Sequence, residues 1–179
     1  MLIMLTSGWR IYNASPLFNF QFPDAITLGG WLGGWLGGAL QWHFAAMWLF
    51  TVNGVVYVLM NFISGRWRRK FWPLSVSALF RELYLALTGR LKHQEPARYN
   101  TVQKVTYLTV TVIGGLLILS GLVVWKPVQF SFLSVLFGGY DNARLVHFIF
   151  MSLVGLFTGL HLLMVVLVPG TLVTIIRGH

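Results

Sequence analysis

Apolar residues in this chain fall in long blocks rather than in stripes. Three blocks are free of Asp, Glu, Lys and Arg: Ala39–Ile63, Val105–Trp125 and Leu145–Val168. A helix rises 1.5 Å per residue, so about 20 residues cross the ~30 Å hydrocarbon layer of a bilayer. Each block has that length, and the pattern predicts three membrane-spanning helices. Met1–Trp9 is also apolar and ends at Arg10. As a helix it would rise only about 14 Å, roughly half a bilayer. It is expected to be part of a span, over about residues 1–12, or a shallow anchor.

The connectors differ in character. Arg10–Gly38 holds two prolines and a tandem Gly-Gly-Trp-Leu repeat over 29–36. It reads as a flexible interfacial loop anchored by Trp31 and Trp35, with gating of a ligand as the sharper alternative. Arg66–Lys104 is long and basic, opening with Arg66-Trp67-Arg68-Arg69-Lys70. Within it, Ser75–Leu87 has the pattern of an amphipathic surface helix. Lys126–Arg144 carries three charges, and Gly138-Gly139 predicts a turn over Ser134–Tyr140.

Composition adds the class. Of the 179 residues, 56% are hydrophobic and 9% charged, and the mean hydropathy is +0.72. Soluble domains carry about 25% charged residues. The net charge of +9 does not indicate nucleic acid, because nine of the thirteen Lys and Arg residues lie between Arg66 and Lys104. That clustering follows the positive-inside rule and places the 66–104 loop in the cytoplasm. The Ala39 and Leu145 spans are then parallel, both running inward, and the C-terminus is cytoplasmic. The expected location is a bacterial inner membrane, crossed several times. The chain has no cysteine, which excludes disulfides, thiolate iron–sulfur clusters and c-type haem attachment. No cleavable signal peptide is evident in MLIMLTSGWR, which lacks a basic start and a small-residue cleavage site.

Three of the five histidines lie inside the apolar blocks. Ionisable residues there are costly and are usually functional. The bland reading of each is a histidine satisfied by an interhelical hydrogen bond. His43 and His147 stand near the starts of parallel spans, at similar depth. His161 follows His147 by fourteen residues, close to four turns, so the two share a face about 21 Å apart. A six-coordinate haem iron needs two imidazoles on opposite faces of the ring. His43 and His147 are expected to supply them for a haem near the outer surface, and His161 to ligate a second near the inner surface. Arg144, one turn before His147, is a candidate for a haem propionate or an ordinary snorkelling arginine. Gly54, Gly114, Gly115, Gly121, Gly155 and Gly159 suit close packing, of helices or of a flat macrocycle.

The residues Trp42-His43-Phe44, Arg144-Leu145-Val146-His147 and His161, with Leu5-Thr6-Ser7-Gly8-Trp9-Arg10, resemble the prokaryotic di-haem b-type cytochromes. These are the membrane subunits of nickel–iron hydrogenases, formate dehydrogenases and thiosulfate reductases. The resemblance implies an all-α transmembrane four-helix bundle with haem b between its helices, the first helix incomplete here, the whole chain forming one cytochrome domain. It implies that the positions of His43 and His147 share one haem, and that the position of His161 pairs with a histidine near the start of the first helix. It implies an electron-transfer subunit rather than a complete enzyme, working between quinone and an extracytoplasmic redox partner containing molybdopterin or a metal. No histidine precedes Leu5. A half-helix leaves backbone groups unsatisfied in hydrocarbon, so the expectation is a late recorded start, with the missing ligand upstream of Met1. The alternatives are a naturally short chain, or another group completing the coordination. His93 and His179 read as solvated and terminal residues. Gln103, Tyr107 and Asn61 are candidates for a quinone site near the inner interface.

Two other functions compete. A self-contained haem reductase would pass electrons to a small acceptor. A non-redox transporter or assembly subunit would show pore residues or inverted repeats, and the spans offer only scattered Ser, Thr, Asn53 and Asn61.

Overall fold

The computed structural model describes residues 1–28, 34–88 and 100–167, and among them every regular element is a helix. In chain order these are α1 (Leu2–Ala14), α2 (Leu36–Ile63), α3 (Arg66–Phe71), α4 (Val76–Leu87), α5 (Thr101–Trp125), α6 (Ser131–Leu136) and α7 (Tyr140–Leu167). Trp31, His93 and the C-terminal segment from Val168, with His179, lie outside the described residues.

Three helices are long and apolar enough to cross a membrane: Leu36–Ile63, Thr101–Trp125 and Tyr140–Leu163. Each begins three to five residues earlier than the apolar blocks alone suggest. The added residues are glycines, polar groups and the charged turn Asp141–Arg144, which hydrophobicity does not mark. Large side chains such as Val52, Phe62, Ile63, Leu156 and Val166 are exposed along the spans. In water such a surface would aggregate; in lipid it is the solvated face. The chain is an integral membrane protein.

Contacts divide the molecule into two compact units, Met1–His43 with the chain from Ile113 onward, and Phe44–Val112. In the second unit α4 presents an amphipathic face, as its pattern predicts. The start of α5 is fixed by a reciprocal cap. The Gln103 backbone N–H donates to the Asn100 side chain (2.8 Å), and the Asn100 N–H donates to the Gln103 side chain (3.2 Å). This is the capping-box arrangement, and it occupies Gln103. Glu82 of α4 completes the end, accepting from Thr101 Oγ1 (3.1 Å) and the Val102 N–H (3.2 Å). A carboxylate there complements the positive end of the helix dipole.

In the first unit α1 runs antiparallel to α7. The Arg144 guanidinium donates to the carbonyl of Ser15, the C-cap of α1; Tyr12 stacks on Phe148 at 4.8 Å; Leu5 lies against Gly155. As far as Leu28 the connector after α1 is tied down, in contrast to the flexible loop its composition suggests; residues 29–33, with most of the Gly-Gly-Trp-Leu repeat, lie outside the described residues. It folds back along α1, with Asn13 exchanging two 2.8 Å hydrogen bonds with the Phe22 backbone. Asp24 pairs with Arg10 at 2.5 Å, and the Leu28 N–H donates to the Thr6 carbonyl at 3.1 Å. Phe18, Phe20 and Phe22 pack with Tyr12 and Phe148 along this hairpin.

The turn expected over Ser134–Tyr140 is shorter than that, because α6 occupies its first residues. Gly138 and Gly139 take φ of +78° and +104°. Their N–H groups donate to the Val135 and Ser134 carbonyls at 3.0 and 2.8 Å, the Schellman pattern that needs a residue without Cβ. The pair ends α6 and starts α7.

Candidate haem site

His43 is the eighth residue of α2, and His147 is the eighth residue of α7. Both half-buried imidazoles belong to the first unit. Each is anchored on another helix. His43 Nδ1 lies 3.0 Å from Ser7 Oγ on α1. His147 Nδ1 lies 3.1 Å from Ser120 Oγ and 3.2 Å from the Leu117 carbonyl on α5.

These partners fix where each ring carries its proton. A carbonyl only accepts, so Nδ1 of His147 is the protonated nitrogen. The Ser120 hydroxyl donates its one proton to the Leu116 carbonyl at 2.7 Å and therefore accepts from the ring. The Ser7 hydroxyl donates to the Ile3 carbonyl at 2.5 Å, so it too accepts from Nδ1–H. The Met4 carbonyl also lies near the His43 ring. Both rings are thus held as Nδ1–H tautomers, with the lone pair on Nε2. That is the state a metal-bound imidazole requires, one nitrogen donating to a fixed acceptor while the other coordinates.

The glycines beside the serines complete the arrangement. A Cβ on Gly8 would sit 3.5 Å from His43 Cε1, and one on Gly121 would sit 3.1 Å from His147 Cε1. Gly155 admits Leu5. Cβ atoms on Gly54, Gly115 and Gly159 would meet nothing within 4 Å among the described residues. Among the described glycines, Gly8, Gly121 and Gly155 are those at which a Cβ would meet a side chain of another helix; the tighter contacts at Gly37 and Gly138 are to the near neighbours Trp35 and Asn142.

Among the described residues there is no group of three or more His, Cys, Asp or Glu able to hold a bare metal ion. A haem needs fewer: its macrocycle supplies four nitrogens, and the protein supplies the axial ones. Two neutral imidazoles with oriented Nε2 atoms on different helices fit that donor set.

His161 is not brought to this pair. It is exposed, about 21 Å along α7 from His147, and it stacks on Phe157 one turn earlier at 5.9 Å and 20°. Arg144 reaches the end of α1 through the Ser15 carbonyl. Asn61 donates back to the Tyr57 carbonyl at 2.8 Å. Sequence reasoning missed Ser7 and Ser120. The available signal was the dipeptide Ser-Gly, which occurs three times, at Ser7-Gly8, Ser64-Gly65 and Ser120-Gly121, the first and last inside apolar segments.

A family model described as prokaryotic cytochrome b561 matches residues 1–178. The YedZ1 protein of Azospira oryzae, whose name marks it as a candidate protein-methionine-sulfoxide reductase subunit, is 53% identical over 179 residues, covering 100% of this chain and 88% of the relative. No solved structure matches the chain.

Proposed function

The chain belongs to the prokaryotic cytochrome b561 family, and on that premise we propose that it relays electrons between the quinone pool and an extracytoplasmic oxidoreductase partner. The observation that carries the reading is the pair of imidazoles on α2 and α7, each tethered through Nδ1 to another helix. The family match over residues 1–178 supports treating the whole chain as one membrane cytochrome domain.

His43 and His147 are the proposed axial ligands of an outer haem b. When bound, the haem supplies reversible one-electron storage. The residues around it hold two neutral imidazoles in place and keep both polar Nδ1 groups satisfied in an apolar setting, where an unpaired donor is costly. Arg144 has five donors and gives one bond to Ser15. Its remaining donors make it the proposed partner of a propionate. His161 is the proposed ligand of a second haem, toward the other side of the membrane. The basic segment 66–104 supports a cytoplasmic position for that side.

The relative's name supports a partner that reduces oxidised methionine side chains; a molybdopterin or other metal centre in that partner is part of the proposal. Reducing one sulfoxide to a thioether consumes two electrons and two protons and releases one water. A one-electron carrier must therefore serve it twice. Quinol in the lipid phase is the proposed electron source. The word "subunit" in that name favours this partnered reading over a self-contained reductase.

The test is absorption and electron paramagnetic resonance spectroscopy of the protein purified from haem-replete cells. We expect low-spin, bis-imidazole b-type haem. His43→Ala and His147→Ala each remove the outer haem. His161→Ala leaves that haem and removes the second. Colourless wild-type protein overturns the reading.

A further inference from the structure

We propose that Ser7 and Ser120 are positioning residues that fix the planes of the two axial imidazoles and, through them, set the midpoint potential of the haem. The inference rests on the haem reading above.

The carrying observation is a repeated clasp. In each case a serine in one helix back-bonds to the carbonyl four residues earlier, Ile3 or Leu116. The carbonyl three residues earlier, Met4 or Leu117, also reaches the ring. The next residue is a glycine that faces ring Cε1, where an added Cβ would sit 3.5 Å away at Gly8 and 3.1 Å away at Gly121. In each case the histidine is the eighth residue of its own helix. Thr106, Thr111, Ser152 and Thr158 make the same back-bond, which is how hydroxyls are commonly satisfied within helices. Among the described hydrogen bonds, the contact to a histidine distinguishes Ser7 and Ser120.

The chemistry gives a direction. With its proton committed to the backbone, each hydroxyl presents lone pairs to Nδ1–H. A hydrogen bond accepted there raises the basicity of the ligating imidazole and favours ferric over ferrous iron. Removing the hydroxyl leaves the ring with a backbone acceptor alone, less tightly oriented and less basic.

The experiment is a redox titration and ferric resonance spectrum of the full-length, membrane-extracted cytochrome. It compares wild type, Ser7→Ala, Ser120→Ala and the corresponding threonine variants, with haem content measured in each. We expect the alanine variants to shift the midpoint potential upward and to alter the low-spin resonance positions. The threonines should restore both, since threonine keeps the hydroxyl and its back-bond. Haem loss in an alanine variant that threonine reverses also supports the proposal. Haem loss that threonine does not reverse overturns it, as do alanine variants with wild-type potential and resonance. Failure of the underlying reading looks different: His43→Ala and His147→Ala then retain the wild-type haem signal.

Discussion

At Gly121 the distance between a hypothetical methyl group and the His147 ring is 3.1 Å; at Gly8 the corresponding distance to the His43 ring is 3.5 Å. The first is closer than ordinary contact and the second is ordinary, so the two glycines make different predictions. Gly121→Ala presses on a ring held from the same side by Ser120 and Leu117. It is expected to cost roughly 1–3 kcal/mol as overpacking and to lower haem occupancy or shift its resonance. Gly8→Ala is expected to leave both unchanged. Haem content per chain, measured side by side for the two variants, checks this. Equal effects at both positions would mean that the separation of ring and glycine does not control the site.

The elements around the site are held by contacts of unequal weight. Asn13 satisfies both backbone groups of Phe22, at 2.8 Å each, and so fastens the connector to α1. The neighbouring Arg10–Asp24 pair is shorter, but the Asp24 side chain is 84% exposed. Exposed ion pairs contribute about 0–1 kcal/mol, whereas orphaned backbone groups cost about 1–3 kcal/mol. Asn13→Leu is therefore expected to speed hydrogen exchange through residues 18–28, and Asp24→Ala to leave it near wild type. Exchange measured by mass spectrometry in detergent separates the two. Arg144 belongs to the same scale. A cation at the C-terminus of α1 complements its dipole, and the bond to Ser15 ties the helix carrying Ser7 to the helix carrying His147.

At the scale of the whole molecule, the proposal depends on which side of the membrane each connector occupies. The absence of cysteine permits a labelling test without background. Single cysteines at the exposed positions Ser77 and Ser131, on α4 and α6, are expected to react from opposite faces in intact cells. An impermeant maleimide should label Ser131→Cys directly and Ser77→Cys only after permeabilisation. The opposite pattern would move the His43–His147 pair to the cytoplasmic side and rule out an extracytoplasmic partner there.

The sequence by itself determined the class of protein and its three spans, and it singled out three histidines as candidate ligands. Spans are legible because hydrocarbon tolerates neither charge nor unpaired backbone, so long uncharged apolar runs have few other meanings. The same cost makes His43, His147 and His161 conspicuous. Helix ends were less legible, since Asn100 with Gln103 and Gly138 with Gly139 act through local backbone geometry that hydropathy does not weigh. The tertiary structure alone decided which nitrogen of each imidazole is committed, and to what. Ser7 and His43 are 36 residues apart, and Ser120 and His147 are 27 apart. A hydrogen bond between separate helices leaves no period in the sequence, and it forms only once the helices have packed.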